Sequence, residues 1–135
     1  MEAGQQPIDL EAERTFLGGL MLATELNEDH LRQVQDEDFF DRRHRLIFKS
    51  IREEAEGGGV DAPSLVVIDR LRHEGALATA GGAEYIEQIV ASQMIPKASL
   101  QHAGRIVSEQ AQLRALISVA QGIITAAQEK EADIT

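Results

Sequence analysis

The chain of 135 residues contains no cysteine and no tryptophan, and aromatic residues make up only 4% of it. The lack of cysteine excludes a disulfide framework, a thiolate metal site and a cysteine nucleophile. Because aromatic side chains are so few, the hydrophobic 43% of the sequence must build its core mainly from leucine, isoleucine, valine and alanine. A chain of this length is expected to form one domain.

Motifs for nucleotide chemistry are also missing. A P-loop needs a glycine-rich turn followed by lysine and then serine or threonine, and none of the three lysines, Lys49, Lys97 and Lys130, follows a glycine. The four histidines lack metalloprotease spacing, and no serine lies in a nucleophile-elbow sequence. We therefore predict that this chain has no catalytic residue, no metal site and no cofactor of its own.

Positive charge is scarce, since 13 lysines and arginines face 23 acidic residues and leave a net charge of −10. Affinity for nucleic acid depends largely on cationic side chains, so we expect no direct DNA binding by this domain in isolation. An acidic surface suits a basic protein partner or simply keeps the domain in solution. No run approaches the roughly 20 apolar residues that span a bilayer, and no signal peptide is recognisable. The sequence predicts a soluble, cytoplasmic protein without a membrane partner.

Apolar residues recur with the period of a helix, and no segment has the alternation of a strand, so the sequence predicts an all-α fold. Asp9, Asn27 and Asp41 are suitable N-caps for the first three helices. The third helix ends at the glycines of positions 57–59 and has a strongly amphipathic pattern. Its inward face is predicted to consist of His44, Ile47, Phe48, Ile51 and Ala55.

Gly18 and Gly19 interrupt the apolar run of the first helix, although each costs about 1 kcal/mol relative to alanine. Either the helix ends at this pair, or a neighbouring segment packs too closely for a side chain to fit. The helical period of the apolar residues continues through the pair. This continuity favours an unbroken helix with a close neighbour.

The fourth helix is predicted to begin with Asp61 as its N-cap, to accept Pro63 in its first turn and to stop at Gly75. A short fifth helix follows and contains Tyr85. The side chains of the fourth helix that are predicted to point inward are Leu65, Ile68 and Leu71.

Pro96 opens the longest helical pattern, which runs from Lys97 to about Gln128. Its apolar residues recur in steps of four and three, which is typical of a helix that pairs with another helix. This seam covers only about two heptads, too few to specify a coiled coil. The predicted organisation is a flexible N-terminus (1–6), a helical head (7–96), a long helix (97–128) and a turn or chain end (129–135). The seam consists of Leu113, Ile117, Ala120, Ile124 and Ala127.

Several polar residues are candidates for a function, each with a structural explanation. Glu11 and Glu13 do not face each other on a helix, and their charges at a helix start account for both. His44 is expected to be a buried, hydrogen-bonded histidine, and Tyr85 suits an interface and the core equally. The carboxylates at 36–38 and 41 lack the ligand spacing of a calcium loop and are expected to cap helices.

A set of short motifs follows a fixed order from about Pro7 to Ile124. This ordered set resembles the N-terminal domain of bacterial DnaB-type replicative DNA helicases, although Ser99 and His102 depart from the family pattern. The motifs are Glu11-Ala12-Glu13, Leu17-Gly18-Gly19, Asp38-Phe39-Phe40, His44, Ile47-Phe48, Val60-Asp61, Leu71, Gly75, Leu77, Gly81-Gly82, Tyr85, Pro96, Ala103, Ile106-Val107, Glu109, Arg114 and Leu116-Ile117.

The resemblance implies a compact multi-helix head followed by the first arm of a helical hairpin. In this family, hairpins of neighbouring subunits pair into dimers, which assemble as a trimer of dimers in a collar on a hexameric ring. The collar docks the C-terminal helicase-binding domain of primase and contributes to binding of the helicase loader. The resemblance therefore implies a non-catalytic assembly domain in DNA replication. ATP and Mg²⁺ are expected only for the separate RecA-like motor domain of an ATP-dependent parent helicase.

Carried over to this sequence, the family's partner-binding or assembly positions are Glu11, Tyr85, Ile117 and Ile123. Structural roles are expected at Gly18, Gly19, Asp61 and Gly75. An alternative function, from a different class, is a stand-alone all-α regulatory or phage-derived adaptor that mimics the helicase collar.

Overall fold

A computed structural model describes residues 6–93 and 97–134, and within these ranges it contains helices and no β-strand. The all-α prediction is confirmed. The residues of the predicted flexible N-terminus before Gln6, and Pro96 at the predicted start of the long helix, lie outside the described ranges. The helices are α1 (Leu10–Leu22), α2 (Glu28–Gln33), α3 (Arg42–Glu56), α4 (Ser64–His73), α5 (Gly82–Ala91) and α6 (Lys97–Ile134), with a 3-10 turn over Asp36–Asp38.

Three of the predicted caps are present. The side chains of Asp9, Asn27 and Asp41 each accept a hydrogen bond from a backbone amide two or three residues further on, at 2.8–2.9 Å. These bonds satisfy amide groups that the first turn of a helix leaves without a partner. The caps therefore fix where α1, α2 and α3 begin.

The prediction that Asp61 caps the fourth helix is wrong. α4 begins at Ser64, directly after Pro63, and Asp61 is an exposed residue two positions before that proline. The carbonyl group of Pro63 accepts the first helical bond, from the amide of Val67 at 3.1 Å. Because Pro63 is the last residue before the helix, the Asp61 side chain is placed too early to cap the first turn.

The expectation that Leu65 points inward is also wrong, since this side chain is 76% exposed. The buried face of α4 consists instead of Val67, Ile68 and Leu71. Leu65 precedes Val67 by two residues, which is about 200° of rotation around a helix. The end of α4 agrees with the sequence, because Gly75 has a φ of +70° and the amide of Ala76 bonds to the carbonyl of Leu71.

α1 runs unbroken through its glycine pair, as the apolar period predicts. A Cβ atom at Gly18 would lie 2.9 Å from the carbonyl oxygen of Ile89 in α5, and one at Gly19 would lie 2.8 Å from a methyl carbon of Leu100 in α6. Both the Ile89 backbone and the Gln93 side chain therefore approach Gly18, whereas only the movable side chain of Leu100 approaches Gly19. The pair lets α5 and α6 pack closely on the same helix.

The core is formed where α1, α3, α4, α5 and the beginning of α6 meet. Phe16, Phe39 and Phe48 are fully buried, and their ring centroids lie 5.1–6.3 Å apart. Three of the five aromatic residues of the chain are thus concentrated in one cluster, which aliphatic side chains surround. None of the described helices is both long enough and apolar enough to cross a membrane.

α6 has 38 residues and is about 57 Å long at 1.5 Å per residue. It continues to Ile134, so the helix boundary at Gln128 and the turn predicted over 129–135 are wrong for residues 129–134, while Thr135 lies outside the described residues. The added residues include glutamate, lysine and alanine, which favour helix, and no glycine or proline ends it. Its beginning packs on the head through Leu100, Ala103 and Val107.

Candidate protein-docking sites

A buried chain of hydrogen bonds joins α1, α3 and α5. His44 is completely buried, with its Nδ1 2.7 Å from Oε1 of Glu13 and its Nε2 2.6 Å from the hydroxyl group of Tyr85. Because the Glu13 carboxylate can only accept, the Nδ1–H of His44 donates to it. Nε2 is then free to accept a hydrogen bond from the Tyr85 hydroxyl group. This arrangement satisfies both ring nitrogens of the buried histidine.

Glu13 has a different role from the one its position predicts. It is 2% exposed, and besides His44 it accepts hydrogen bonds from the backbone amides of Phe40 at 2.7 Å and Asp41 at 3.3 Å. A buried carboxylate needs such donors to offset the loss of water. Glu13 therefore holds the entry to α3 and does not act merely as a charge at the start of α1.

The position of Glu13 in the sequence already indicates that its side chain is buried. Glu13 is four residues before Leu17 and seven before Leu20, so it lies on the apolar face of α1. His44 lies on the apolar face of α3 in the same way. Two ionisable residues on two apolar faces can remain buried only if they find partners, and here they bind each other.

Tyr85 is half-buried and belongs to both the interior and the surface. Its hydroxyl group points to His44, while the guanidinium group of Arg43 lies 4.0 Å from the centroid of its ring. Arg43 is held by Asp41 at 2.8 Å. Burial raises the pKa of Tyr85 above its ordinary value, although the charges of Arg43 and Arg14 oppose the rise. The exposed part of the ring remains accessible to a partner.

Glu11 is exposed on α1 and takes no part in this chain of hydrogen bonds. No hydrogen bond in the described structure joins the two predicted head residues, Glu11 and Tyr85. It connects Tyr85 to Glu13 through His44 instead.

The acidic residues around the 3-10 turn make contacts within the head. Asp36 binds Arg52 through two hydrogen bonds of 2.7 and 3.1 Å, and Asp38 accepts from the amide of Gln35 at 2.9 Å. Desolvation raises the pKa of Asp38, whereas the hydrogen bond from Arg43 lowers that of Asp41. In the described part of the chain, no group of three or more potential ligands is arranged to hold a metal ion.

The last 20 described residues of α6, residues 115–134, form an arm that extends away from the head. Every described residue from Ser118 onward is exposed. The arm nevertheless carries large apolar side chains, with Leu116 and Ile123 each 65% exposed. Of the two predicted contact residues on this helix, Ile117 is half-buried and Ile123 projects into solvent. We call the residues Leu116, Val119, Ile123 and Ile124 the apolar stripe of the arm.

The apolar stripe points away from the head. Ile123 follows the buried Val107 by sixteen residues, which corresponds to a rotation of about 160° around the helix. The face of α6 that packs on the head is therefore nearly opposite the apolar face of the arm. The opposite side of the arm is polar and includes Ser118 and Thr125.

Arg114 fixes the point where the arm leaves the head, a role that the sequence did not reveal. Its guanidinium group donates to the carbonyl oxygens of Pro7 at 2.8 Å and Asp38 at 2.7 Å. The group also lies 5.6 Å from the ring centroid of Phe40. The partners are 107 and 76 residues away along the chain, so no local pattern could identify them.

Together, the fold and these surfaces define an all-helical domain with a compact head and one projecting arm. Residues 5–109 match the family model described as the DnaB-like helicase N terminal domain. Because this match covers most of the 135 residues, the chain belongs to the family of DnaB-like helicase N-terminal domains.

Curated relatives agree with the family. The replicative DNA helicase DnaB of Mycobacterium leprae is 30% identical over 120 residues, which are 89% of this chain and 20% of that protein. The replicative DNA helicase DnaB of Leifsonia xyli is 33% identical over 114 residues, covering 82% of this chain and 24% of the relative. The chain thus spans about a fifth to a quarter of the relatives it matches.

A solved structure has the same fold. The crystal structure of the N-terminal domain of DnaB helicase from Mycobacterium tuberculosis matches with a TM-score of 0.83 and 28% sequence identity. The match covers 92% of this chain and 85% of that chain.

Proposed function

We propose that this chain is the non-catalytic collar domain of a replicative DNA helicase and that it mediates subunit assembly and primase docking. The observation that carries the proposal is the apolar stripe of the arm, which no other part of the described chain covers. Contiguous apolar surface of this kind is typical of a protein-interaction site.

The partner of the arm is expected to be helical. A helix that is exposed on all sides is marginally stable at best, because helices in proteins depend on packing of an apolar face. Burying one leucine or isoleucine side chain contributes about 1.5–3 kcal/mol. The spacing of Leu116, Val119 and Ile123 places these side chains on one side of the arm, where a second helix can pack against them.

Self-association is the first part of the proposal. Arms of two chains pair through their apolar stripes, and in the full-length protein these dimers assemble as a trimer of dimers. The naming of the relatives as replicative DNA helicases supports this context. The ATP-dependent motor, with ATP and Mg²⁺, belongs to a separate domain of the proposed parent protein.

Primase docking is the second part. The C-terminal helicase-binding domain of primase is the principal proposed partner, and the helicase loader is a further one. The contact residues proposed for these partners are Tyr85 on the head and Ile117 and Ile123 on α6, with Glu11 as a polar contact. Apolar and aromatic side chains of this kind often supply most of the energy of an interface.

The assembly part is tested by the solution mass of the chain, measured by light scattering. Leu116→Glu/Ile123→Glu places two charges on the apolar stripe, and the matched control Ser118→Glu/Thr125→Glu places the same charges on the polar side of the same helix. We expect dimers or larger assemblies for the wild type and the control, and monomers for the stripe variant. A wild-type chain that remains monomeric at high concentration contradicts this part.

The docking part is tested by calorimetric titration with the primase C-terminal helicase-binding domain. Ile117→Ala, Ile123→Ala and Tyr85→Ala are each expected to weaken binding about tenfold, which corresponds to about 1.4 kcal/mol. Leu65→Ala, which removes an exposed apolar side chain on α4, is the control and should leave the affinity unchanged. Equal affinities for all variants remove the site assignment. Absence of binding by the wild type removes primase as the partner.

A further inference from the structure

Basic side chains are scarce on this acidic protein, and most of those described already have a partner. Arg114 binds two backbone carbonyl groups, and Arg14 lies beside Tyr85. The arginines that form salt bridges with carboxylates are Arg32, Arg43, Arg52, Arg70 and Arg72.

Three of the remaining cations lie together on the solvent side of α3. Arg42, Arg45 and Lys49 are all exposed, and their spacing of three and four residues places them within about 60° of one another around the helix. Arg42 and Lys49 make no ion pair or hydrogen bond in the described structure, and Arg45 uses only its Nε, which donates to the carbonyl of Phe39 at 2.7 Å. We call these residues the α3 cationic stripe.

The α3 cationic stripe opposes the stability of its own helix. Positive charges near a helix N-terminus are unfavourable to the helix dipole, and α3 has no acidic residue in its first turn and no basic residue in its last. Arg42 and Arg45, and then Arg45 and Lys49, are also like charges one turn apart, which repel each other. Local helix stability therefore does not explain Arg42 and Arg45, whereas Lys49 lies beyond the first turn and has Glu53 one turn further along α3.

The carboxylates nearest to the start of α3 are already engaged. Glu13 accepts from the amides of Phe40 and Asp41 and from His44, and the Asp41 carboxylate holds Arg43 and its amide. Neither carboxylate neutralises the α3 cationic stripe. A residue pattern that violates local rules without internal compensation is expected to serve a function.

We propose that the α3 cationic stripe docks an acidic segment of a partner protein, with carboxylates spaced about one helical turn apart. Charge complementarity identifies the chemistry, because an anionic partner relieves both the repulsion within the stripe and its conflict with the helix dipole. The net charge of −10 repels the continuous phosphates of nucleic acid, and three cations release few counterions from it. The stripe lies on α3, apart from the arm, and goes beyond the function proposed above.

The test is an NMR titration of the isotope-labelled chain at low salt. The probe is a blocked, alanine-based helical peptide with glutamate at every third or fourth position. Amide shifts are expected to concentrate along the exposed side of α3. Arg42→Glu/Lys49→Glu should weaken binding by about fivefold or more. Arg32→Glu/Arg72→Glu changes the net charge equally at exposed sites elsewhere and should bind like the wild type.

The proposal is overturned by any of the following outcomes. The first is that the same peptide with glutamine in place of glutamate binds equally well. The second is that the α3 variant binds the acidic peptide as tightly as its control, or that the shifts map elsewhere. The third is that a single-stranded oligonucleotide of equal charge binds the stripe more tightly than the peptide, which assigns the surface to nucleic acid. The arm is unaltered in all these variants, so their results do not depend on the assembly or primase tests.

Discussion

The hydroxyl group of Tyr85 lies 2.6 Å from Nε2 of His44, although the two residues are 41 positions apart in the sequence. This bond joins α5 to α3, and the bond from His44 to Glu13 continues the connection to α1. The half-exposed ring of Tyr85 is therefore tied to the buried centre of the head. A partner that contacts this ring at the surface also contacts the element that holds three helices together.

Removing the Tyr85 hydroxyl group should destabilise the head. Tyr85→Phe keeps the ring under Arg43 but leaves the buried Nε2 of His44 without its hydrogen bond, which costs about 1–3 kcal/mol. Urea unfolding followed by circular dichroism measures the loss as a lower transition midpoint. An unchanged midpoint would show that the buried imidazole does not depend on Tyr85.

Glu13 and Glu11 provide a matched comparison on the same helix. Glu13→Gln weakens three hydrogen bonds of a buried carboxylate and is expected to lower the free energy of unfolding by about 1–3 kcal/mol. Glu11→Gln alters an exposed side chain and should change the free energy of unfolding by no more than about 0.5 kcal/mol. Chemical denaturation of both variants makes the comparison, and equal effects would contradict the different roles assigned to the two glutamates.

The titration of Tyr85 can be followed without interference, because it is the only tyrosine and the chain has no tryptophan. Burial raises its pKa in the folded state, so tyrosinate absorbance should appear at higher pH in the folded chain than in urea. The folded state therefore retains this proton longer. The free energy of unfolding should accordingly decline as pH rises above about 10. Identical titration curves with and without urea would contradict the burial of the Tyr85 hydroxyl group in the folded chain.

Gly18 should not tolerate even a methyl group. The Cβ of Gly18→Ala would meet the Ile89 carbonyl oxygen, and overpacking against backbone is expected to cost about 1–3 kcal/mol. Gly19→Ala should cost less, because it meets only the movable side chain of Leu100. On the arm, the Cβ of Gly122→Ala would have no neighbour within 4 Å. This substitution should therefore stabilise the helix, by up to about 1 kcal/mol. Thermal unfolding ranks the three variants, and a stabilising Gly18→Ala would contradict the close contact.

Much of the fold could be predicted because caps and helix periods act over a few residues. Asp9, Asn27 and Asp41 each bond to an amide within three positions, so their roles are visible in a short window of sequence. Asp61 has the same residue type but lies before a proline that itself precedes the helix, and the cap prediction failed there. Leu65 was assigned to the wrong face because its spacing from Ile68 fits one face of a helix, whereas the buried face is centred between Val67 and Leu71.

The candidate sites were less accessible to sequence reasoning because they depend on contacts between distant segments. His44 finds Glu13 across 31 positions, and Arg114 finds Pro7 across 107. Local pattern placed the buried Glu13 among ordinary helix-start charges. The apolar period of the long helix could be recognised from its spacing, but the predicted seam shares only Ile124 with the apolar stripe. Only the structure shows that the arm projects from the head with Leu116, Val119 and Ile123 exposed.

The most direct measurement is amide hydrogen exchange along α6, as a function of chain concentration and of added primase helicase-binding domain. We expect amides of the arm to exchange much faster than those near Val107 in dilute protein, and to become protected about tenfold or more at high concentration or with primase. Leu116→Glu/Ile123→Glu should abolish this protection, and Ser118→Glu/Thr125→Glu should retain it. If the arm exchanges at the same rate under all these conditions, it is not the surface that binds other subunits and primase.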